Sequence, residues 1–213
     1  MVLYSFSDQG NWILIAGIYH AANMENNPNA ICKSMNDNSS CQTINSESRI
    51  TIIAHGEKGI VNDKNAISLL NYLEDIGLRE DYQGIIDLYS CFSGSWDVEG
   101  DNIKESIVDA IADRYPNATV IGAVGPMIID PNGKKHYVKP DKESVETAIA
   151  LQVSLVNDDL RLLENNLDLE ENFYAQGADA CDTTIEFFNR FLSALYDNQL
   201  MLSETEGMII RQR

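Results

Sequence analysis

Three short runs, apolar almost without a break, constrain this chain more than anything else in it: ITIIA (50–54), GIIDLYS (84–90) and ATVIGAV (118–124). Each is rich in β-branched residues and short enough to be a buried strand. The segments between them have helical spacing. Over 63–77, Ala66, Leu69, Leu70 and Leu73 share one face, and Gly77 is placed as a C-cap. Over 102–115, Ile103, Ile107, Ala110 and Ile111 recur at the same period, with Pro116 just past the end. Strand, helix, strand, helix, strand specifies βαβ units and an α/β fold. Right-handed crossovers then predict a parallel sheet with helices on both faces. Ligands of such sheets bind outside the carboxyl ends of the strands.

Two residues with chemistry stand at such ends. His55 and Gly56 follow the first run, and Cys91 follows the second. A cysteine attacks carbonyls as the thiolate, and a neighbouring imidazole shuttles its proton. If the two strands are neighbours, His55 and Cys91 share one edge of the sheet. Gly56 permits close approach of a substrate backbone, and its amide, or that of Cys91, is placed to hold an oxyanion. The small, turn-forming FSGSW after Cys91 opens the backbone toward solvent. Trp96 ends that turn and is either a cleft wall or a partly buried core aromatic. Asp87 and Tyr89 alternate onto the same face as Cys91, which makes them the candidate substrate-binding pair.

Outside this region the reading is coarser. Residues 2–6 and 12–18 are β-rich and read as a hairpin or two successive strands. Residues 23–48, crowded with Asn, Ser and Asp, read as a long polar loop. MIIDPNGKKHYV (127–138) reads as a β-hairpin with a PNG turn. Lys134, Lys135, Lys139 and Lys142 form the one basic cluster, read as a solvated charge run, and His136 is expected to be exposed. From 141 onward the chain turns helical, most clearly over 142–164 and 182–202. Cys181 is read as a helix-start residue, and His20 as a residue behind the site.

Bulk properties exclude several functions. Fifteen Lys and Arg against 33 Asp and Glu leave a formal charge of −18, a field that repels nucleic acid and anionic membranes and favours basic partners. The four cysteines (Cys32, Cys41, Cys91, Cys181) include no CxxC pair, and the three histidines are scattered, so no metal and no cofactor is expected. A chain of this length folds without staples, which favours reduced thiols and a reducing compartment. MVLYSFSDQG lacks the pattern of a Sec signal, and WILIAGI (12–18) is too short to span a membrane.

The pair of blocks IIAHG and LYSC resembles the caspase-like (clan CD) cysteine peptidases, in which the His of His-Gly and the Cys after the next core strand form the catalytic dyad. The resemblance covers residues 50–140, and VIGAVGPMIIDPNGKKHYVKP (120–140) is most similar to the branch of bacterial toxin and effector protease domains. It implies a caspase-like three-layer sandwich with a mostly parallel central sheet and a β-hairpin after the core. Residues 1–140 would be that core, and 141–213 a helical extension packed on it. It also implies that His55 is the base and Cys91 the nucleophile. Two departures stand out. The toxin domains take inositol hexakisphosphate in a basic pocket, which this acidic chain does not suggest. Arginine-preferring members carry an Asp two residues before the nucleophile, where this chain has Tyr89, with Asp87 the nearest acid.

The expected function is therefore a cysteine endopeptidase acting on a protein or peptide. A basic P1 residue would suit the acidic surface and a small or apolar one Tyr89. The alternatives are a non-catalytic caspase-like scaffold that binds a host or other partner protein, and another thiol-based acyl transfer on the same dyad. The C-terminal LSETEGMIIRQR resembles tails by which some intracellular bacteria export effectors, which would deliver the protein to a host cytosol without a Sec signal.

Overall fold

The computed structural model describes residues 2–6, 30–35, 44–46, 48–99, 102–130, 134–164 and 177–212. In chain order its elements are β1 (Val2–Phe6), β2 (Ala30–Ser34), β3 (Arg49–Ile53), the two-residue strands β4 (Gly56–Glu57), β5 (Ile60–Val61) and β6 (Lys64–Asn65), and helix α1 (Ala66–Asp75). Next come β7 (Ile85–Tyr89), β8 (Asp97–Glu99), β9 (Asn102–Lys104), α2 (Ile107–Arg114), β10 (Thr119–Ala123), β11 (Met127–Ile129) and β12 (Lys135–Val138). The chain continues with α3 (Lys142–Glu164), α4 (Gly177–Asp197), β13 (Met201–Leu202), α5 (Glu204–Gly207) and β14 (Met208–Gln212).

Six strands make the main sheet, in the order β14-β10-β7-β3-β1-β2. All neighbours are parallel except the antiparallel pair β10 and β14. This is the mixed α/β, mostly parallel arrangement that the alternating runs predict. β1 has a parallel neighbour along each edge, β2 on one side and β3 on the other. Residues 12–18 themselves lie outside the described residues, as do His20 and Cys41. β2 runs through what reads as a polar loop. The Ala-Ile-Cys at its start is too brief an apolar stretch to stand out among flanking polar residues.

Among the described residues, the two crossover helices lie on one face of the sheet. The order β3, β7, β10 advances across the sheet in one direction, and right-handed crossovers then put both intervening helices on the same face. The core has that form. Ile50, Ile52, Ile86, Leu88 and Val120 pack with Leu69, Tyr72 and Leu73 of α1 and with Ile107, Val108 and Ile111 of α2. Their alternate neighbours Arg49, Thr51, Asp87, Tyr89 and Ile121 face the other way. The helices are also shorter than their sequence periodicity suggests. The Asn65 carboxamide caps α1 by accepting from the Ser68 amide at 2.9 Å, and the Ser106 hydroxyl caps α2 by accepting from Asp109 at 3.1 Å. The residues before each cap become short hairpins, β4–β6 and β8–β9. Asn62 and Asp63, both at positive φ, form the two-residue turn between β5 and β6. Gly77, at φ 103°, ends α1 as expected, with the amides of Gly77 and Leu78 donating back to Glu74 and Leu73.

Residues Met1–Tyr137 and Ser203–Arg213 form one compact unit, and Val138–Leu202 a second. The expected extension from 141 to 213 therefore ends at 202. The chain returns after it, and β14 supplies the antiparallel edge of the main sheet. The tail is folded over residues 202–212: the Ser203 amide donates to the Glu206 carboxylate at 3.0 Å across the single turn of α5, and Val124 donates to Gly207 at 3.0 Å. In the second unit α3 and α4 pack together, and Phe187, Phe188 and Phe191 are buried on α4. The helical period in 182–202 runs past the true helix end. Gln199 at φ 55° stops α4, with Leu200 donating to Leu195 at 3.0 Å. Among the described residues no helix is long and apolar enough to cross a membrane.

Candidate active site

β3 and β7 are hydrogen-bonded neighbours, in the register Ile53↔Tyr89. The pairing runs one residue past the strand ends, since the Ala54 amide donates to the Tyr89 carbonyl at 3.1 Å. Beyond that bond the two strands leave the ladder, β3 into His55-Gly56 and β7 into Ser90-Cys91. His55 is exposed and Cys91 partly exposed. The His55 carbonyl accepts from the Asn62 amide at 2.9 Å, which anchors it to the β4–β6 meander.

Gly56 leaves no room for a side chain. A Cβ built there would overlap the Ser90 hydroxyl and the Cys91 carbonyl, and would lie 3.2 Å from the Cys91 amide. The glycine after the histidine is thus required by the Cys91 backbone itself, a reason different from the expected approach of a substrate. It holds the His-Gly turn directly against the Cys91 turn.

The Cys91 turn is sewn to the end of β10. Phe92, at φ 55°, donates to Gly125 at 3.0 Å, and Gly94 donates to Ala123 at 2.8 Å. The buried Ser93 hydroxyl donates to the Ser90 carbonyl at 2.9 Å and accepts from the Ala123 amide at 3.1 Å. The Cys91 sulfur meets the first residue of β11: the Met127 amide donates to Sγ at 3.3 Å, and the thiol lies 3.6 Å from the Met127 carbonyl. Burial pushes the thiol pKa up, and the Met127 backbone bonds pull it partly back down. The Met127 amide is placed to stabilise negative charge on the sulfur.

Asp87 and Tyr89 lie on the same sheet face and line one cleft of about 370 Å³ together with Arg49, Ile121, Lys134, Lys135, Glu204 and Met208. Asp87 is 2% exposed. Arg49 donates to its Oδ2 at 2.9 Å and the Lys135 ammonium to its Oδ1. Lys135 also stands 3.9 Å above the Tyr89 ring. The acid proposed to receive a basic side chain already carries two internal cations. Trp96 is half exposed and is not among the residues lining this cleft.

The basic cluster divides. Lys134 is exposed, whereas the Lys135 side chain is 13% exposed in its ion pair with Asp87, so it is not part of a solvated run. His136 is buried rather than exposed, with Nε2 3.0 Å from Asp130 Oδ2. Asp130 Oδ1 accepts from the Lys134 amide at 2.9 Å, so one carboxylate both closes the β11–β12 hairpin and satisfies the histidine. The roles of Met127, Arg49 and Lys135 escape a sequence reading. A backbone contact leaves no side-chain signal, and both cations are distant from Asp87 in the chain. Among the described residues no three His, Cys, Asp or Glu side chains converge as a metal site would require. No protein-family model matches the chain, and no curated protein is similar enough in sequence to count as a match.

Proposed function

We propose that this protein is a cysteine endopeptidase of caspase-like architecture, with His55 and Cys91 as its dyad. The observation that carries the reading is the parallel pairing of β3 with β7, which brings the His55-Gly56 turn against the Cys91 turn at the carboxyl end of the sheet. In this mechanism His55 takes the proton from Cys91 Sγ as the sulfur attacks the peptide carbonyl. The tetrahedral oxyanion is held by the amide of Gly56 or Cys91. Its collapse breaks the C–N bond, and the imidazolium protonates the leaving amine. Water, deprotonated by His55, then cleaves the thioester and restores the thiol.

The raised pKa of the thiol and its contact with the Met127 backbone favour a second reading, in which the same fold is a non-catalytic scaffold for a partner protein. A fluorogenic peptide library separates the two. The peptidase reading expects hydrolysis by the wild type that Cys91→Ala abolishes and His55→Ala cuts by at least about a hundredfold. Hydrolysis that survives Cys91→Ala, or none at all from protein whose Cys91 is reduced and folded, overturns it.

A further inference from the structure

The cleft on the face of the main sheet opposite α1 and α2 has an unusual charge balance for this molecule. The chain as a whole carries −18, yet the cleft lining holds three cations, Arg49, Lys134 and Lys135, against the two carboxylates Asp87 and Glu204. Two of these cations are fixed in place. Arg49 and Lys135 converge on the two oxygens of one buried carboxylate, and the Tyr89 ring supports Lys135 from one side. A lysine ammonium has three donors, and Asp87 takes one of them. Burial pushes the Lys135 pKa below its ordinary value despite the pull of Asp87, so Asp87 and Glu204 do not fully offset its desolvation. Beside the charges, Ile121, Met208 and the Tyr89 ring give the cleft an apolar wall. Its volume falls at the small end of the range for organic ligands.

We propose that this cleft is a binding site for a singly charged carboxylate with a short apolar body, held by Lys135 and Arg49 with Lys134 at the mouth. Asp87 acts there as an internal counter-ion that orients the two cations, not as the recognition group for a basic side chain. One net positive charge in the lining matches a carboxylate. A phosphate dianion would be overcompensated next to Asp87 and Glu204. The carboxylate has two possible sources with the same chemistry, the side chain of a glutamate or aspartate in a peptide, or a free small organic acid. Neither His55 nor Cys91 lines the cleft, so the inference stands whether or not the dyad cleaves peptides, and it is read by binding alone.

The test is a titration of the full chain followed by amide NMR, reading the resonances of Tyr89, Ile121, Lys134 and Lys135. The probes are the blocked peptides Ac-Ala-Glu-Ala-NH2, Ac-Ala-Gln-Ala-NH2 and Ac-Ala-Lys-Ala-NH2, with glutarate and inorganic phosphate. The proposal expects saturable shifts with the glutamate peptide or glutarate, at least about tenfold tighter than with the glutamine peptide. The tighter of the two identifies the source as peptide or free acid. Lys135→Met should weaken that binding by about tenfold or more, and Lys135→Arg should retain it. If Lys135→Met fails to fold, the exposed Lys134→Gln decides, with an expected loss of about twofold to threefold. Equal binding of the glutamine peptide, tighter binding of the lysine peptide or of phosphate, or no shift with either carboxylate overturns the proposal. So does unchanged carboxylate affinity in folded Lys135→Met or in Lys134→Gln.

Discussion

Replacing Gly56 by alanine is the sharpest perturbation of the account, because the structure fixes what the added methyl meets. It would overlap the Ser90 hydroxyl and the Cys91 carbonyl and sit 3.2 Å from the Cys91 amide. Two of these three neighbours are backbone, so the clash is not relieved by a rotamer change. Gly56 is not among the residues at positive φ, so the cost is steric and not conformational. Forcing one methyl into a packed site costs about 1–3 kcal/mol. The relief must come from parting the His55 and Cys91 turns. A misplacement on the order of 1 Å between reacting groups lowers a rate roughly a hundredfold. Urea unfolding gives the stability loss from the midpoint at unchanged slope. The alkylation rate of Cys91 by iodoacetamide, followed by intact mass and peptide mapping, gives the effect on the thiol. Gly77→Ala is the control: it forces alanine to φ 103° at the end of α1, away from the dyad. It should cost about 1 kcal/mol or more and leave Cys91 reactivity unchanged. If Gly56→Ala stays within about 0.5 kcal/mol of wild type and alkylates at the same rate, the two turns are not in contact and the reasoning fails.

Other outcomes follow from the same contacts. Asp87→Asn leaves Arg49 and Lys135 facing a neutral group and should destabilise by about 3–5 kcal/mol, read by urea unfolding; a loss below about 0.5 kcal/mol would show that the pairing with both cations is not made. Ser106→Ala removes the cap of α2 and should cost about 1–2 kcal/mol in the same assay. Met127→Pro removes the amide that donates to Cys91 Sγ at a position where a strand tolerates proline. It should lower the thiolate fraction about fivefold at a given pH, and an unchanged alkylation rate would contradict the contact. Burial raises the phenol pKa of Tyr115 to about 12 and also raises those of Tyr82 and Tyr137. The unfolded chain therefore loses these protons first. Their contribution to stability is intact below pH 10 and falls above it by about 1.4 kcal/mol per pH unit for each phenol. A urea midpoint that stays level from pH 9 to pH 11 would refute the burial of these hydroxyls.

How much of this was legible in the sequence depends on whether a residue's surroundings are local. ITIIA, GIIDLYS and ATVIGAV announce β3, β7 and β10 because strands buried on both faces cannot afford polar alternation. Gly77 is legible because a helix end needs a residue that accepts positive φ. β14 is not, since MII after a helix reads as more of the helical tail until β10 offers it an edge. β2 and the two-residue strands β4–β6 are too short for any period to show. The placement of α1 and α2 on one face depends on strand order, which no local pattern encodes. His55 and Cys91 could be assigned to one sheet edge because both follow buried strands. The ion pairs of Asp87 were not legible, because its partners Arg49 and Lys135 come from β3 and β12. His136 was misread as exposed because Asp130, which satisfies it, lies across the hairpin turn.

The central claim, that His55 governs the chemistry of Cys91, is tested most directly by the pH dependence of Cys91 alkylation in wild type and His55→Ala. If the two residues act as a dyad, the wild-type profile should carry an inflection that vanishes in His55→Ala. The variant's thiol should then ionise only above the ordinary cysteine value, as its burial dictates. Superimposable profiles in the two proteins would contradict the account.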